Sequence, residues 1–442
     1  NGPGQSGGVS KSLEPVVKRL GTKVHWFAIE GTSLPSNEND PPAGFSFYSP
    51  KISPQLAERH RKAADEYLYP LLHGLTDKAQ FDIENWKAFR QVNEIVASES
   101  LSVSAESFPT LCWLHDYQVP LAAPLMSMQA GLITCQFWHV PWPEPEVIIN
   151  SPIGKELVES LLCNKLIGFH TTEYATNFLN TVKELFPNAQ VDVLKMEVRR
   201  RRTNTRVVVM PLGLDIGLWQ NLARISRPKA EAMAVKYRLA NQILLGVDRL
   251  DYTKGVVEKL QGIERFLERQ SSWHRRFHYV QLLHSSKTAD ANLKAYEVEV
   301  DQTIDKINLR FGSDGWQPII KINGYLNQTE LAAWYQAADI LMVNSVRDGL
   351  NLIAKEYVAC RNDEQGALIL SRQTGSAAEL SQGAVLIDAH NADAIADAIS
   401  QSLGMEVEEK RRRMTAMRKS VGWNQLHDWA IGFLRQALQG RH

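Results

Sequence analysis

The sequence has no excess of charge of either sign, since 49 Lys and Arg residues balance 49 Asp and Glu residues in a chain of 442. A balanced chain lacks the broad basic surface with which proteins bind nucleic acid or anionic membranes, so neither is expected as a partner. Any anionic ligand must therefore be held by a local cluster of side chains.

Cysteine is scarce and long apolar runs are missing. The four cysteines, Cys112, Cys135, Cys163 and Cys360, contain no Cys-x-x-Cys pair and fit neither a zinc framework nor a small disulfide scaffold. No apolar run approaches the roughly 18–20 residues of a transmembrane helix, and the amino end is polar and glycine-rich rather than a signal peptide. We therefore expect buried thiols in a cytoplasmic protein.

The chain also lacks an initial methionine: it begins at Asn1 and runs directly into a glycine-rich loop that opens an amphipathic helix. In α/β proteins a strand commonly precedes such a loop. We therefore expect the sequence to be truncated or to omit a segment ahead of this loop.

Short β-rich runs alternate with longer segments of helical period, which is typical of parallel sheets flanked by helices. TLCWLHDY and LITCQFWHVPW are strands of a first set, and a helix over PKAEAMAVKYRLAN leads to a second set that begins with QILLGVDRL. The sequence predicts an α/β protein with two Rossmann-like doubly wound domains over residues 1–220 and 221–405. The helical segment 406–442 is expected to pack back on the first domain.

The sharpest local motif is GVDRLDYTKG, residues 246–255, which lies where a strand ends and a helix begins. Arg249 and Lys254 can converge in the crevice where open α/β sheets bind ligands. Two cations beside a helix amino terminus favour a diphosphate site. The alternative is a pair of surface cations neutralised by Asp248 and Asp251, and this motif alone leaves both interpretations open.

A second motif, RDGLNLIAKEYVACR at residues 347–361, follows another strand and favours the ligand interpretation. Asp348 and Gly349 lie in the predicted turn, and backbone amides near residues 350–352 can face an anion. Glu356 on the following helix can accept hydrogen bonds from sugar or ribose hydroxyls. Its alternative role is that of a partner for the helix dipole.

In the first domain the candidates are Asp116 and His139, which lie at the ends of two predicted strands, and Gly7 and Gly8 in the opening loop. An aspartate and a histidine so placed can orient hydroxyls and support charge at a sugar ring. A lone histidine is more often structural, and Trp86, at helical spacing, could belong to the core.

Together these motifs resemble the retaining glucosyltransferases typified by trehalose-6-phosphate synthase, in the family's order and across nearly all of the chain. The landmarks are SGGV, NWKAFRQVN, LHDYQ, HVPWPEPE, KLIGFH, GVDRLDYTKG, RDGLNLIAKEYVACR and GSAAEL. The resemblance implies a GT-B fold, in which two Rossmann-like doubly wound domains face a central cleft. The first domain would hold mainly the acceptor, and the second the donor, UDP- or ADP-glucose, with no metal and no cofactor.

The resemblance also implies site residues. The implied catalytic residues are His139, Arg249, Lys254 and Asp348. Donor contacts are implied for Gly8, Arg249, Lys254, Asp348, Gly349, Leu350, Asn351, Leu352 and Glu356, with Arg249 and Lys254 on the diphosphate and Glu356 on the ribose. Acceptor contacts are implied for Trp86, Asp116 and Lys287. No carboxylate is a nucleophile in this scheme, because the leaving diphosphate helps to deprotonate the acceptor.

Several positions depart from the trehalose-6-phosphate synthase pattern. Gly74 takes the place of an acceptor-binding tyrosine, and Lys287 takes the place of an arginine that clamps the sugar phosphate. Phe89 and His170 also differ, and the turn NSVRDG replaces the common TPLRDG, which leaves the donor base open. These choices resemble relatives that make glucosylglycerol phosphate. We therefore predict glucosyl transfer to glycerol 3-phosphate, with glucose 6-phosphate as the alternative acceptor.

The motifs also bear on two other function classes. A catalytically silent regulatory homologue is disfavoured because Arg249, Lys254, Asp348 and Glu356 are all present. A relative that couples an amine acceptor is disfavoured by the intact DRLDYTKG motif. The expected partners are a nucleotide-sugar donor and a phosphorylated small-molecule acceptor in osmolyte biosynthesis, and a homo-oligomer is left open.

Overall fold

The computed structural model divides the chain into two units, the first formed by Asn1–Leu212 with Leu426–His442 and the second by Gly213–Gln425. The structure describes residues 8–20, 24–29, 45–104, 110–201, 203–237, 239, 242–284, 291–313 and 315–439. No helix within these ranges is both long and apolar enough to cross a bilayer.

The first unit is built around a six-stranded sheet. The strands of this sheet are β3 (Thr110–His115), β4 (Leu132–Phe137), β5 (Leu166–Phe169), β6 (Gln190–Asp192), β7 (Glu197–Arg200) and β8 (Thr203–Val209). Two earlier strands, β1 (Val24–Phe27) and β2 (Phe45–Tyr48), form a separate parallel pair. The helices of this unit that precede the second unit in the chain are α1 (Gly8–Leu20), α2 (Pro54–Lys62), α3 (Tyr69–Leu72), α4 (Ile83–Ser104), α5 (Ala123–Ser127), α6 (Pro145–Ile149), α7 (Gly154–Leu161) and α8 (Thr172–Leu185). The order β3-β4-β5-β8-β7-β6 is parallel from β3 to β8 and antiparallel from β8 to β6.

The second unit has a six-stranded sheet that is parallel throughout. Its strands are β9 (Gln242–Arg249), β10 (Phe277–His284), β11 (Ile319–Asn323), β12 (Ile340–Val343), β13 (Ala367–Ser371) and β14 (Val385–Ile387). Its helices are α9 (Ile216–Lys236), α10 (Val256–Arg269), α11 (Ala291–Phe311), α12 (Gln328–Ala337), α13 (Leu352–Cys360), α14 (Ala377–Leu380), α15 (Ala392–Leu403) and α16 (Val407–Trp423). The order β11-β10-β9-β12-β13-β14 is that of a Rossmann fold, with the reversal of strand order between β9 and β12.

The final helix, α17 (Leu426–Leu438), belongs to the first unit. Its Phe433 packs edge-on against Phe137 of β4. A Cβ atom at Gly168 in β5 would lie 2.6 Å from the Phe137 ring and 2.7 Å from the Phe433 ring. Only glycine therefore lets this helix approach the sheet so closely.

The α/β class and the two Rossmann-like domains are confirmed, but the unit boundaries differ from those expected. The boundary expected at residue 220 falls inside α9, which begins at Ile216 because the Asp215 carboxylate accepts a hydrogen bond from the Leu218 amide at 2.9 Å. Helix α16 lies in the second unit rather than on the first, so the segment that returns to the first unit is α17 and not the whole of residues 406–442.

Candidate functional site

The candidate donor site lies at the point where the strand order of the second sheet reverses. Strands β9 and β12 are neighbours there, paired through Leu244 with Ile340 and Leu245 with Leu341. In open α/β sheets ligands bind outside the carboxyl ends of the strands at such a switch point. The two motifs singled out in the sequence follow these two strands.

The loop from β9 to α10 is shaped by three residues. The Asp251 Oδ1 atom accepts hydrogen bonds from the Thr253 amide and from the Thr253 hydroxyl, both at 2.9 Å, and this closes a short helical turn. Gly255 has φ of +59°, and a Cβ atom there would lie 2.4 Å from the Asn344 carbonyl oxygen. Glycine is required at 255 both by the backbone conformation and by this contact.

Lys254 and Asp348 are brought together by these two loops. The Lys254 Nζ atom lies 2.6 Å from Asp348 Oδ2, and the two side chains are 14% and 15% exposed. The same carboxylate oxygen accepts hydrogen bonds from the Ser345 hydroxyl at 3.3 Å and from Asn351 Nδ2 at 3.2 Å. A partly buried cation and an anchored carboxylate therefore lie side by side at the switch point.

Arg249 takes a more open position at the end of β9. Its side chain is 58% exposed, and its Nη2 atom lies 3.3 Å from Asp251 Oδ2. The alternative in which Asp248 neutralises these cations is wrong, because Asp248 pairs with Lys259 of α10 at 2.6 Å. Asp251, by contrast, does pair with Arg249.

Asp248 and Lys259 form a buried pair that the sequence did not predict. The two side chains are 3% and 0% exposed, and Gln281 Nε2 of β10 donates a further hydrogen bond to Asp248 Oδ2 at 3.0 Å. The available signal was a lysine on the apolar face of VVEKLQGIERFL. A charge at such a position requires a buried partner.

The amino terminus of α10 is occupied by a side chain of the protein itself. The amides of Val256 and Val257 donate to the Tyr296 hydroxyl of α11 at 3.0 and 3.4 Å. Burial raises the pKa of Tyr296, so the hydroxyl remains protonated. Two amides of this helix terminus are therefore already paired within the protein, and the contact of the terminus with a diphosphate stays a prediction.

Helix α13 starts from a residue with an unusual backbone conformation. Asn351 has φ of +73°, and its Oδ1 atom accepts a hydrogen bond from the Ala354 amide at 3.1 Å. In the second turn, Glu356 Oε2 accepts a hydrogen bond from the buried Tyr335 hydroxyl at 2.9 Å. Burial and the facing Glu356 carboxylate raise the pKa of Tyr335 well above its ordinary value.

The GSAAEL landmark supports the same turn. The Asp348 amide donates to the Gln373 carbonyl, and the Gly375 amide donates to the Asp348 carbonyl, both at 3.0 Å. A Cβ atom at Gly375 would lie 2.0 Å from the Gly349 carbonyl oxygen. The two backbones therefore pack directly on each other, and this fixes the conformation of the segment that carries Asp348.

In the first unit, Asp116 and His139 are also brought together. Asp116 follows β3 with φ of +61°, and its Oδ1 atom accepts hydrogen bonds from the amides of His139 and Val140 at 3.2 and 3.3 Å. The carboxylate thus ties the ends of the parallel neighbours β3 and β4. Its orientation is set by the protein before any ligand is bound.

His139 belongs to a cluster of three histidines. Its Nε2 atom lies 3.0 Å from His115 Nδ1, and the ring centroid of His170 is 5.2 Å away. Burial, and then the neighbouring His170 and His115, lower the pKa of His139 far below its ordinary value. The side chain is therefore neutral at physiological pH, and its buried Nδ1 atom has no partner among the described residues.

Trp86 lies in α4 and packs in the core of the first unit, and its acceptor contact stays a prediction. The indole is 1% exposed, stacks on Phe89 at 4.7 Å between ring centroids, and donates from Nε1 to Glu156 Oε2 at 2.9 Å. A side chain with no exposed surface belongs to the core. Gly8 is the first residue of α1, whereas Gly7 and Lys287 lie outside the described residues.

Within the described ranges, no group of three or more His, Cys, Asp or Glu side chains could hold a metal ion. The ionic groups of the candidate site are instead those of Arg249, Lys254, Asp348 and Glu356. The chemistry open to them is the binding of an anionic ligand that also carries hydroxyl groups.

Comparisons with known proteins identify the family of the chain. The model of glycosyltransferase family 20 matches residues 3–439. A trehalose-6-phosphate synthase of Mycobacterium sp. (strain KMS) is 33% identical over 441 residues, which cover 97% of this chain and 88% of that protein. A bifunctional trehalose-6-phosphate synthase/phosphatase of Thermoproteus tenax is 30% identical over 395 residues, 89% of this chain and 53% of that protein.

Solved structures give the same result. An α,α-trehalose-phosphate synthase (UDP-forming) from Burkholderia xenovorans, in complex with glucose-6-phosphate, has a TM-score of 0.90 and 25% identity, with 99% of this chain and 98% of that chain covered. An E. coli structure bound with UDP-2-fluoro glucose has a TM-score of 0.90 and 25% identity, with coverages of 99% and 97%. The chain therefore belongs to glycosyltransferase family 20 and is a hexosyltransferase with the GT-B fold.

Proposed function

We propose that this chain transfers glucose from UDP-glucose to glucose 6-phosphate with retention of configuration and so makes trehalose 6-phosphate. The observation that carries the proposal is the Lys254–Asp348 pair at the carboxyl ends of β9 and β12. It is supported by relatives named trehalose-6-phosphate synthase and by similar structures that contain glucose-6-phosphate or UDP-2-fluoro glucose.

On the donor side, Arg249 and Lys254 neutralise the diphosphate. Negative charge grows on the leaving diphosphate as its bond to the sugar breaks, so cations held beside it stabilise the transition state more than the ground state. The Asp348 carboxylate and the backbone amides of residues 349–352 contact the sugar hydroxyls, and Glu356 accepts from the ribose hydroxyls. Gly8 lets the opening backbone approach the donor phosphate.

On the acceptor side, Asp116 accepts hydrogen bonds from acceptor hydroxyls, with one oxygen already fixed by two backbone amides. His139 contacts the transferred glucose. Because burial holds His139 neutral, it acts as a hydrogen-bonding group rather than as a charged acid. The bond from the anomeric carbon to the diphosphate breaks, the bond to the acceptor oxygen forms on the same face, and the acceptor proton passes to the departing phosphate oxygen.

The predicted preference for glycerol 3-phosphate is not supported, because the similar proteins are named trehalose-6-phosphate synthases. That prediction rested on several departures from the family pattern, among them Gly74, Lys287, Phe89 and His170. Gly74 has φ of +73°, where glycine is favoured for conformational reasons alone, so its presence needs no explanation from the acceptor. Lys287 lies outside the described residues, and its contact with the acceptor phosphate remains a proposal.

The test is a matrix of UDP-, ADP- and GDP-glucose against glucose 6-phosphate and glycerol 3-phosphate, scored by release of nucleoside diphosphate and by NMR of the product. We expect turnover with UDP-glucose and glucose 6-phosphate, an α,α-linked product, and no loss of rate in EDTA. Turnover with glycerol 3-phosphate alone would contradict the acceptor assignment. Loss of rate in EDTA would contradict metal-independent transfer.

A further inference from the structure

The segment Asn344–Val346, which we call the strap, connects β12 to the turn that carries Asp348 and is the part of the donor motif that departs from the family pattern. Asn344 and Ser345 are fully buried. Of the polar atoms of the buried Asn344 side chain, Nδ2 is hydrogen-bonded, whereas Oδ1 has no partner among the described residues.

The strap holds the backbone on both sides of Lys254. Asn344 Nδ2 donates to the Gly255 carbonyl at 3.1 Å and to the Ala389 carbonyl at 3.3 Å. The Val346 amide donates to the Thr253 carbonyl at 2.8 Å. The residues immediately before and after Lys254 are therefore hydrogen-bonded to the same three-residue segment that leads to Asp348.

The middle residue of the strap, Ser345, contacts Asp348 itself. The Ser345 hydroxyl donates to Asp348 Oδ2, the oxygen that also receives Lys254 Nζ and Asn351 Nδ2. If Lys254 turns toward a diphosphate, the two neutral donors still hold the carboxylate. A proline at 345, as in TPLRDG, offers no hydroxyl for this contact.

We propose that Ser345 and Asn344 are positioning residues of the donor site, an inference that rests on the proposed function. Ser345 keeps the Asp348 carboxylate directed at the donor sugar while Lys254 engages the diphosphate. Asn344 fixes the position of Lys254 relative to Asp348. The two residues therefore affect different parts of the donor: Ser345 the sugar, and Asn344 the diphosphate.

The experiment compares UDP-glucose with UDP, which lacks the sugar. Ser345→Ala removes one donor from Asp348, and we expect kcat/KM for UDP-glucose to fall about fivefold to tenfold while the inhibition constant of UDP changes less than twofold. Ser345→Thr retains a hydroxyl and is expected to recover most of the rate. An unchanged kcat/KM, or an equal loss of UDP affinity, would overturn the role of Ser345.

Asn344→Thr restores the family residue and removes the two amide hydrogen bonds. We expect the inhibition constant of UDP to rise severalfold, because Lys254 is no longer held on both sides. Unchanged UDP inhibition would overturn the role of Asn344. Ser402→Ala is the matched control for Ser345→Ala, since Ser402 is also fully buried in the second unit and its hydroxyl has no partner among the described residues.

Calorimetry separates this inference from the proposed function. Binding of UDP-glucose and of UDP is measured without acceptor, so the result does not depend on transfer. In Ser345→Ala we expect the ratio of the UDP-glucose affinity to the UDP affinity to fall about fivefold. The unfolding midpoint in urea shows that the variant is folded. If no acceptor supports turnover but this fall in the ratio is seen, the proposed function is wrong and the positioning role of Ser345 is supported. An unchanged ratio would refute the positioning role of Ser345.

Discussion

Lys254 and Asp348 are 94 residues apart in the sequence, and their side chains form an ion pair of 2.6 Å at the carboxyl ends of two neighbouring parallel strands. Both side chains are largely shielded from water, so their attraction is less screened than that of a surface pair. In a chain without net charge, Lys254 and Arg249 are the cations that we propose for binding the anionic donor.

Replacing Lys254 by alanine tests the diphosphate role. The lost stabilisation grows in the transition state, so we expect turnover to fall about a hundredfold to a thousandfold, on the order of 2–4 kcal/mol. Steady-state kinetics with saturating UDP-glucose measure this directly. Lys294→Ala, at an exposed lysine of α11, is the control and should be unaffected. Normal turnover in a folded Lys254→Ala variant would refute the role.

Glu356→Gln tests the ribose contact. Glutamine keeps a carbonyl oxygen that can accept the Tyr335 hydroxyl, so the local fold should persist. A ribose contact is made equally in the ground and transition states, and its loss is expected to raise the donor KM about tenfold with little change in kcat. Donor titrations at saturating acceptor provide the measurement. An unchanged donor KM would assign Glu356 to the helix dipole instead.

The sequence was sufficient to predict the fold class and the position of Arg249, Lys254 and Asp348 after the ends of strands, although the direct pairing of Lys254 with Asp348 was not predicted. Both results follow from the alternation of strands and helices, because the carboxyl ends of neighbouring parallel strands lie at one edge of a sheet. Asp116 and His139 were placed at strand ends for the same reason. Their backbone φ values and hydrogen bonds, however, depend on the neighbouring strand.

The contacts that the sequence did not predict join side chains from separate elements. Tyr296 reaches the amino terminus of α10 from α11, and Lys259 reaches Asp248 from the helix after the loop. Helical spacing also left Trp86 ambiguous, because a buried aromatic and a ligand-facing aromatic occupy the same kind of helical position. The packing of α4 against its neighbours shows that Trp86 lies in the core.

Breaking the buried pair of Lys259 and Asp248 is expected to be costly. Lys259→Met leaves an uncompensated carboxylate in the core, and we expect a loss of about 3–5 kcal/mol in the free energy of unfolding. The double variant Lys259→Met with Asp248→Asn removes both charges and should recover much of this loss. Urea unfolding is the measurement. A single variant as stable as the parent would contradict the buried pair.

The histidine cluster is expected to make stability depend on pH. Burial lowers the pKa of His115 to about 3, against an ordinary value of 6.5. Below pH 6.5 the unfolded chain binds a proton at this site that the folded chain does not, so stability present above pH 6.5 is lost as the pH falls. At pH 5 the loss is about 2 kcal/mol for this histidine.

His115→Asn removes that group, so the decline in the urea midpoint between pH 7 and pH 5 should become shallower. His390→Asn, at an exposed histidine, serves as the control and should leave the decline unchanged. Equal slopes for the parent and for His115→Asn would show that His115 does not remain neutral in the folded protein.

Trp86 and Asp116 are expected to respond oppositely to substitution. Trp86→Phe removes core volume and the hydrogen bond to Glu156, so we expect a loss of about 1–3 kcal/mol in stability and an acceptor KM within twofold of the parent. Asp116→Asn keeps an oxygen for the amides of His139 and Val140 but removes the negative charge, so the acceptor KM should rise about tenfold or more while stability changes little. Acceptor titrations and urea unfolding on both variants provide the four values. A raised acceptor KM in a fully stable Trp86→Phe variant would show that the indole contacts the acceptor. A residue that serves only the core affects KM through the stability of the fold.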